Sequence, residues 1–158
     1  MLICERRPGW EVGVRNTFRW LSATVFGLVV VQVALAAFGA FDAVHKADKM
    51  PISKKAIEDG FSAHGIVGTL IVLLMLVLLI VALVGRPGPE QTKLAGLIFG
   101  LGVIQLLLGL VSTSAPLLGL LHGLNALAIF STTGLLAHRA WTAQGRPAEV
   151  AQPPAAVS

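Results

Sequence analysis

The stretch that decides the fold is LAGLIFGLGVIQLLLGLVSTSAPLLGLLHGLNALAIFSTTGLLA, residues 94–137, which contains no Asp, Glu, Lys or Arg. One transmembrane helix needs ~20 apolar residues to cross the hydrocarbon core of a bilayer. The stretch is too long for a single crossing, and its one turn-like interruption is STSAP at residues 112–116. We therefore expect two helices here, over about residues 94–112 and 116–137.

Two further stretches without Asp, Glu, Lys or Arg precede this one, at residues 21–41 and 62–84. Backbone groups in lipid must be satisfied within their own segment, so continuous apolar runs are expected to be helical. The predicted fold class is therefore all-α, a transmembrane four-helix bundle over residues 21–138. An N-terminal tail, residues 1–20, precedes the bundle, and a Pro- and Ala-rich tail, residues 139–158, which we expect to be disordered, follows it.

The composition excludes several classes of protein. Of the 158 residues, 55% are hydrophobic and only 13% are charged, whereas soluble domains carry about 25% charged residues. An ordinary soluble domain, a disordered chain and a nucleic-acid module are therefore not expected. The net charge of +4 is spread between the apolar runs, and the single cysteine, Cys4, allows neither an intrachain disulfide nor a multi-cysteine metal site.

The distribution of Lys and Arg predicts the orientation. Eight of the twelve lie in the two tails and in the loop between the second and third helices, and the other four lie in the first loop. The positive-inside rule then places both termini in the cytoplasm of a bacterial cell, with the chain as a multi-pass protein of the inner membrane. Trp10, Trp20 and Trp141 would lie near the cytoplasmic interface, where aromatic residues are enriched.

The sequence contains an internal repeat. Residues 26–35, FGLVVVQVAL, align with residues 99–108, FGLGVIQLLL, and His64-Gly65 aligns with His122-Gly123. Two helix pairs thus resemble each other, and an even number of spans per copy gives parallel repeats related by an axis along the membrane normal. The repeat argues against an alternative in which the first helix is a cleavable signal peptide ending near residues 34–36.

The matched histidines are the leading candidates for a functional site. His64 and His122 would lie at similar depth near the outer face, on helices of the same direction. Ionisable groups in membranes usually face the bundle interior, and haem iron accepts axial imidazoles. We therefore predict a bis-histidine haem b, with both residues as iron ligands. A zinc site wants three or four ligands and fits less well. The alternative is that each histidine only makes a hydrogen bond near the interface.

Seven small or polar residues of these helices are predicted to surround the haem: Gly39, Gly65, Gly109, Gly123, Gln32, Gln105 and Asn125. Missing side chains would leave room for a flat macrocycle, and the amides would contact it. Both groups have an alternative role, because glycine also allows close helix packing and a membrane glutamine can make an interhelical hydrogen bond of ~0.6 kcal/mol.

Other polar groups of the outer and inner ends have weaker roles. We interpret His45 and His138 as interfacial residues on opposite sides of the membrane, so no second haem is predicted. The first loop, residues 42–60, is expected to be polar, with Ser53 as the N-cap of a short amphipathic turn over residues 52–58. Its lysines would either pair with haem propionates or be solvated.

Four helices with histidines on the second and the fourth resemble one half of heme A synthase. The stretch HGLNALAIF, residues 122–130, also resembles a family of uncharacterised four-helix membrane proteins from actinobacteria. The first resemblance implies haem-b binding. It does not favour synthase activity, because Phe61 stands where that family has a glutamate and Gly65 where an arginine is common.

The function expected from these features is that of a b-type haem protein for electron transfer or haem handling, with a redox partner. The alternative is a cofactor-free accessory or structural subunit of a larger membrane complex. A solute or proton carrier ranks below both, because the sequence lacks the paired acidic groups and broken helices of such sites. A homodimer remains open, and the lipid bilayer is the expected environment.

Overall fold

The computed structural model describes residues 9–47, 53–112 and 115–143, which contain four α-helices. The helices are α1 (Gly9–Ala47), α2 (Lys54–Gly85), α3 (Pro89–Ser112) and α4 (Pro116–Thr142). All four are long and apolar enough to cross a membrane, which confirms the all-α, multi-pass interpretation. The predictions for Cys4, for residues 113–114 of the turn and for the tail beyond residue 143 lie outside the described residues.

The helices extend well beyond the apolar spans that the sequence predicts. The N-terminal segment from Gly9 onward is not an irregular tail but the first three turns of α1, which continues to Ala47. The predicted first loop is also mostly helical, because α2 begins at Lys54. Ser53 is an N-cap, as predicted, but the helix that it caps is α2 itself and not a separate turn; its hydroxyl accepts a hydrogen bond from the Ala56 amide at 3.2 Å. Hydropathy finds only the apolar part of a helix, and polar residues outside the hydrocarbon can continue it.

The four helices pack in a ring. The α1 helix contacts α2 and α4, and α3 contacts the same two helices. The helix pairs α1/α3 and α2/α4 therefore lie on the two diagonals of the bundle. Side chains that point inward from α2 and α4 consequently face each other across its centre.

The well-packed apolar core occupies only one half of the bundle. Its largest fully buried apolar side chains are Met75, Leu78, Ile98, Leu136 and Val25. Buried small residues at this level let the helices approach closely, as is usual between membrane helices. We call this half the tryptophan end, because Trp20 and Trp141 lie there in edge contact, with ring centroids 5.1 Å apart.

The opposite half, which we call the histidine end because it contains His64 and His122, is packed differently. In the described residues, no large apolar side chain is buried beyond the level of Val29, Ile71 and Ile129. The partly buried side chains of this half include the polar residues Gln32, His64, Gln105, His122 and Asn125. The histidine end is therefore the half of the bundle in which polar side chains are withdrawn from the surface.

Close contact between α1 and α2 at the histidine end depends on Gly39. A Cβ atom on Gly39 would lie 2.8 Å from the main-chain oxygen of Gly60, too close to be accommodated without moving a helix. We expect Gly39→Ala to lower the free energy of unfolding by roughly 1–3 kcal/mol, the usual cost of overpacking. Unfolding in mixed micelles, followed by circular dichroism, measures it. Gly27→Ala in the same helix is the control, because a Cβ at Gly27 meets nothing within 4 Å; equal losses in both variants would contradict the prediction.

Candidate functional site

The structure brings His64 and His122 together at the centre of the bundle. Their ring centroids are 6.2 Å apart and the ring planes make an angle of 61°. His64 comes from α2 and His122 from α4, the diagonal pair, and both side chains are partly buried. The two imidazoles therefore face each other at one level, as their positions in the sequence predict.

Each histidine ring is held by a main-chain carbonyl of the preceding helix. Nδ1 of His64 lies 3.3 Å from the carbonyl oxygen of Gln32, and Nδ1 of His122 lies 3.1 Å from that of Gln105. A carbonyl can only accept a hydrogen bond, so Nδ1 carries the proton in both rings. Nε2 of each ring is then the nitrogen that carries a lone pair, and a neutral imidazole binds a metal ion through such a nitrogen.

A chain of side-chain amides fixes the environment of His122. Asn125 Nδ2 donates to the main-chain oxygen of Leu101 at 2.9 Å and to Gln105 Oε1 at 2.7 Å. The Gln105 amide nitrogen is therefore the group that points to His122, and it donates to the Nε2 lone pair at 3.0 Å. The main-chain carbonyl of Leu101 fixes the direction of this series of hydrogen bonds, because a carbonyl can only accept.

Gln32 is bonded differently from Gln105. Its Nε2 donates to the main-chain oxygen of His64 at 2.6 Å, rather than to the ring. Among the described residues its buried Oε1 has no hydrogen-bond partner. Gly68, which is not among the predicted site residues, makes space for this amide, since a Cβ there would lie 2.8 Å from Gln32 Nε2. Gly68 follows His64 by four residues, and that spacing places it on the same helix face. Both glutamines make the interhelical hydrogen bonds that the alternative interpretation of these residues expected.

The four candidate glycines do not share one role. Gly109 lies against the His122 ring, where a Cβ would be 3.2 Å from Cε1. Gly39 instead packs on the backbone of α2. Gly65 and Gly123 are exposed, and a Cβ on either would meet nothing within 4 Å. The expectation that these last two leave room beside the histidines therefore has no support in the packing, because the residue after a histidine is rotated by about 100° around the helix.

The other charged and imidazole groups lie away from the histidine pair. His45 and His138 are exposed near opposite ends of the bundle. Lys46 pairs with Asp42 at 2.6 Å within α1, and Lys54 lies 3.5 Å from Glu58 within α2. These exposed or half-exposed pairs contribute little stability.

The two imidazole rings make edge contact with each other, with their centroids 6.2 Å apart. No group of three or more His, Cys, Asp or Glu side chains is found in the part of the chain that the structure describes. An apolar groove also lies between α1 and α2, lined by residues such as Leu28, Val67 and Val77, but it does not include either histidine.

No protein-family model matches this sequence, no curated protein matches it, and no solved structure matches its fold. The resemblance to one half of heme A synthase therefore stays an expectation from the sequence, and the chemistry of the site must be argued from its own residues.

Proposed function

We propose that this chain is an integral membrane b-type haem protein in which His64 and His122 are the axial ligands of the iron. The observation that carries the proposal is the pair of imidazole rings, 6.2 Å apart across the centre of the bundle. The tautomers support it, because each Nδ1 donates to a backbone carbonyl and the lone pair of each ring is then on Nε2. Hydrogen bonds of this kind orient the metal-binding histidines of many proteins.

The packing of the bundle also supports a bound macrocycle at this level. The apolar core ends at Val29, Ile71 and Ile129, and the described residues beyond these bury no large apolar side chain. The ligands lie on the diagonal helices α2 and α4, so their rings approach from opposite sides of the interior. Gly109 gives the His122 ring the space that a side chain would fill.

A haem bound in this way supplies one-electron chemistry. With both axial positions filled, the residues of the site favour electron transfer or haem handling over oxygen activation. A redox partner or a larger membrane complex would then exchange electrons with the chain. Catalysis of the heme A synthase type is not part of the proposal, because Phe61 stands at the position of the expected glutamate. The Phe61 ring makes edge contact with the His64 ring, with the two centroids 6.2 Å apart.

The proposed topology has two parallel helix-pair repeats with both termini in the cytoplasm of a bacterial inner-membrane protein. Equivalent contacts support the repeat. In the first hairpin, α1 and α2, Nδ1 of His64 contacts the main-chain oxygen of Gln32; in the second hairpin, α3 and α4, Nδ1 of His122 contacts that of Gln105. The Lys and Arg distribution and the tryptophan end support the orientation. The histidine pair would then lie near the outer face.

The orientation can be tested with the native cysteine. Cys4 is the only cysteine, so a membrane-impermeant maleimide should label it in inverted membrane vesicles and not in intact spheroplasts. The double variant Cys4→Ser, Ser53→Cys is the control and should show the reverse pattern, because Ser53 caps α2 at the other end of the bundle. Labelling of Cys4 in intact spheroplasts would contradict the proposed topology.

The haem proposal is tested by analysis of the detergent-purified protein. A pyridine haemochrome assay should give one haem b per chain, and the reduced protein should show the sharp α band of a six-coordinate b-type haem. A colourless protein obtained from cells that are supplied with a haem precursor would contradict the proposal.

One observation favours a second function, that of a cofactor-free accessory subunit. Both ring nitrogens of His122 already have hydrogen-bond partners in the chain, on Gln105. A polar network of this kind can act as a specific contact between helices. This function predicts a colourless protein that stays bound to a partner during purification, so the haem assay separates the two proposals.

A further inference from the structure

The two histidines of the pair differ in what holds their metal-binding nitrogen. Nε2 of His122 accepts a hydrogen bond from the Gln105 amide at 3.0 Å. For Nε2 of His64, the described residues provide no such bond, because the Gln32 amide donates to the main-chain oxygen of His64 instead. One ring therefore has a competing partner for its lone pair, and the other does not.

The competing partner is itself held in place. Asn125 donates to Gln105 Oε1 at 2.7 Å and is fixed by the carbonyl of Leu101. The position equivalent to Asn125, three residues after His64, is Val67, which has no polar group. The second hairpin is thus built to keep an amide donor directed at His122 Nε2, and the first hairpin has no equivalent.

This asymmetry has a consequence for metal binding. A hydrogen bond and a metal ion use the same lone pair of Nε2, so His122 binds either the Gln105 amide or iron, but not both. When His122 leaves the iron, its lone pair returns to a donor that is already in place. For the lone pair of a released His64, the described residues provide no such donor.

We propose that His122 is the exchangeable ligand of the haem and that an uncharged diatomic gas binds to the iron on the His122 side. This inference rests on the proposed function, because it requires a haem between the two rings. The exchange is a substitution: the bond from iron to His122 Nε2 breaks and a bond from iron to the gas forms. No electron or proton is transferred, since His122 keeps its Nδ1 proton and its Nε2 accepts the Gln105 amide. His64 stays bound.

The proposal gives the chain a regulatory property. The six-coordinate form is suited to electron transfer, and gas binding would replace one of its two protein ligands. The released His122 would be stabilised by its hydrogen bond from Gln105. That hydrogen bond would therefore raise the affinity of the haem for the gas. Gln105 and Asn125 are positioning residues in this scheme, because they act through His122.

The test is carbon monoxide binding to the reduced, haem-loaded protein in detergent, followed by absorbance. Gln105→Leu removes the donor, and we expect it to weaken carbon monoxide binding by about two- to tenfold, the effect of one hydrogen bond. Gln91→Leu, in the same helix and far from the site, is the matched control and should bind as the wild type does. Equal affinities of Gln105→Leu and Gln91→Leu would overturn the proposal.

A second comparison does not depend on the folding of Gln105→Leu. His122→Gly should keep its haem through His64 and bind carbon monoxide more tightly than the wild type, because no protein ligand has to be displaced. His64→Gly should retain less haem. The opposite order, or weaker binding in Gln32→Leu than in Gln105→Leu, would identify His64 as the exchangeable ligand and overturn the proposal. A wild type without haem would instead refute the proposed function.

Discussion

Replacing His64 or His122 with alanine is expected to abolish the six-coordinate haem spectrum of the purified protein. Each substitution removes one of two imidazoles whose centroids are 6.2 Å apart. A single remaining histidine leaves at most five-coordinate iron, whose α band is broad and weak, and the double variant should retain no haem. Absorbance of the reduced protein and the haem-to-protein ratio measure both effects.

The other two histidines provide matched controls. His45 and His138 are exposed at opposite ends of the bundle, so His45→Ala and His138→Ala should keep the wild-type spectrum and haem content. Circular dichroism should show that all of the variants remain helical. An unchanged α band in His64→Ala or in His122→Ala would eliminate that residue as a ligand and with it the bis-histidine site.

A second large effect is expected from Gly109→Val. A Cβ at Gly109 would lie 3.2 Å from His122 Cε1 and 3.5 Å from Nδ1, and a valine adds two methyl groups beyond that atom. The ring would have to move from the carbonyl of Gln105 that holds it. We expect the variant to lose six-coordination and to show a spectrum close to that of His122→Ala, while remaining folded.

Gly100→Val is the control for this substitution. Gly100 lies in the same helix and is exposed, and a Cβ there would meet nothing within 4 Å. The pair of variants therefore separates an effect on the His122 ring from the general effect of a β-branched residue on α3. Retention of the wild-type spectrum in Gly109→Val would show that the position of the His122 ring is not set by this contact.

The sequence predicts the number and the type of the helices correctly because the hydrocarbon core makes one strong demand, about 20 apolar residues for each crossing. It predicts the ends of the helices less well. Gly9 and Ala47 lie far outside the apolar span of α1, and no hydropathy threshold identifies them. The cap at Ser53 was predictable, since an N-cap is a local signal that depends on one side chain and the amides after it, but the sequence did not show that the capped turn continues into α2.

The adjacency of His64 and His122 was also predictable, because equal depth on two helices of the same direction is a property of the sequence alone. The bonds of Gln105 and Asn125 were not, since they depend on which rotamers meet across α3 and α4. Gly65 and Gly123 were expected beside the histidines from adjacency in sequence. On a helix, the residues that share a face with a histidine are three or four positions away, as Gly68 and Asn125 are.

Each hairpin of the bundle places its own imidazole. The carbonyl that orients His64 belongs to α1 and α2 carries the ring, and the same holds for His122 with α3 and α4. Two copies of a single hairpin, associated about a two-fold axis, would therefore assemble an equivalent pair of rings. A single chain has one freedom that such a dimer lacks, since its two halves can differ at matching positions, as Val67 and Asn125 do.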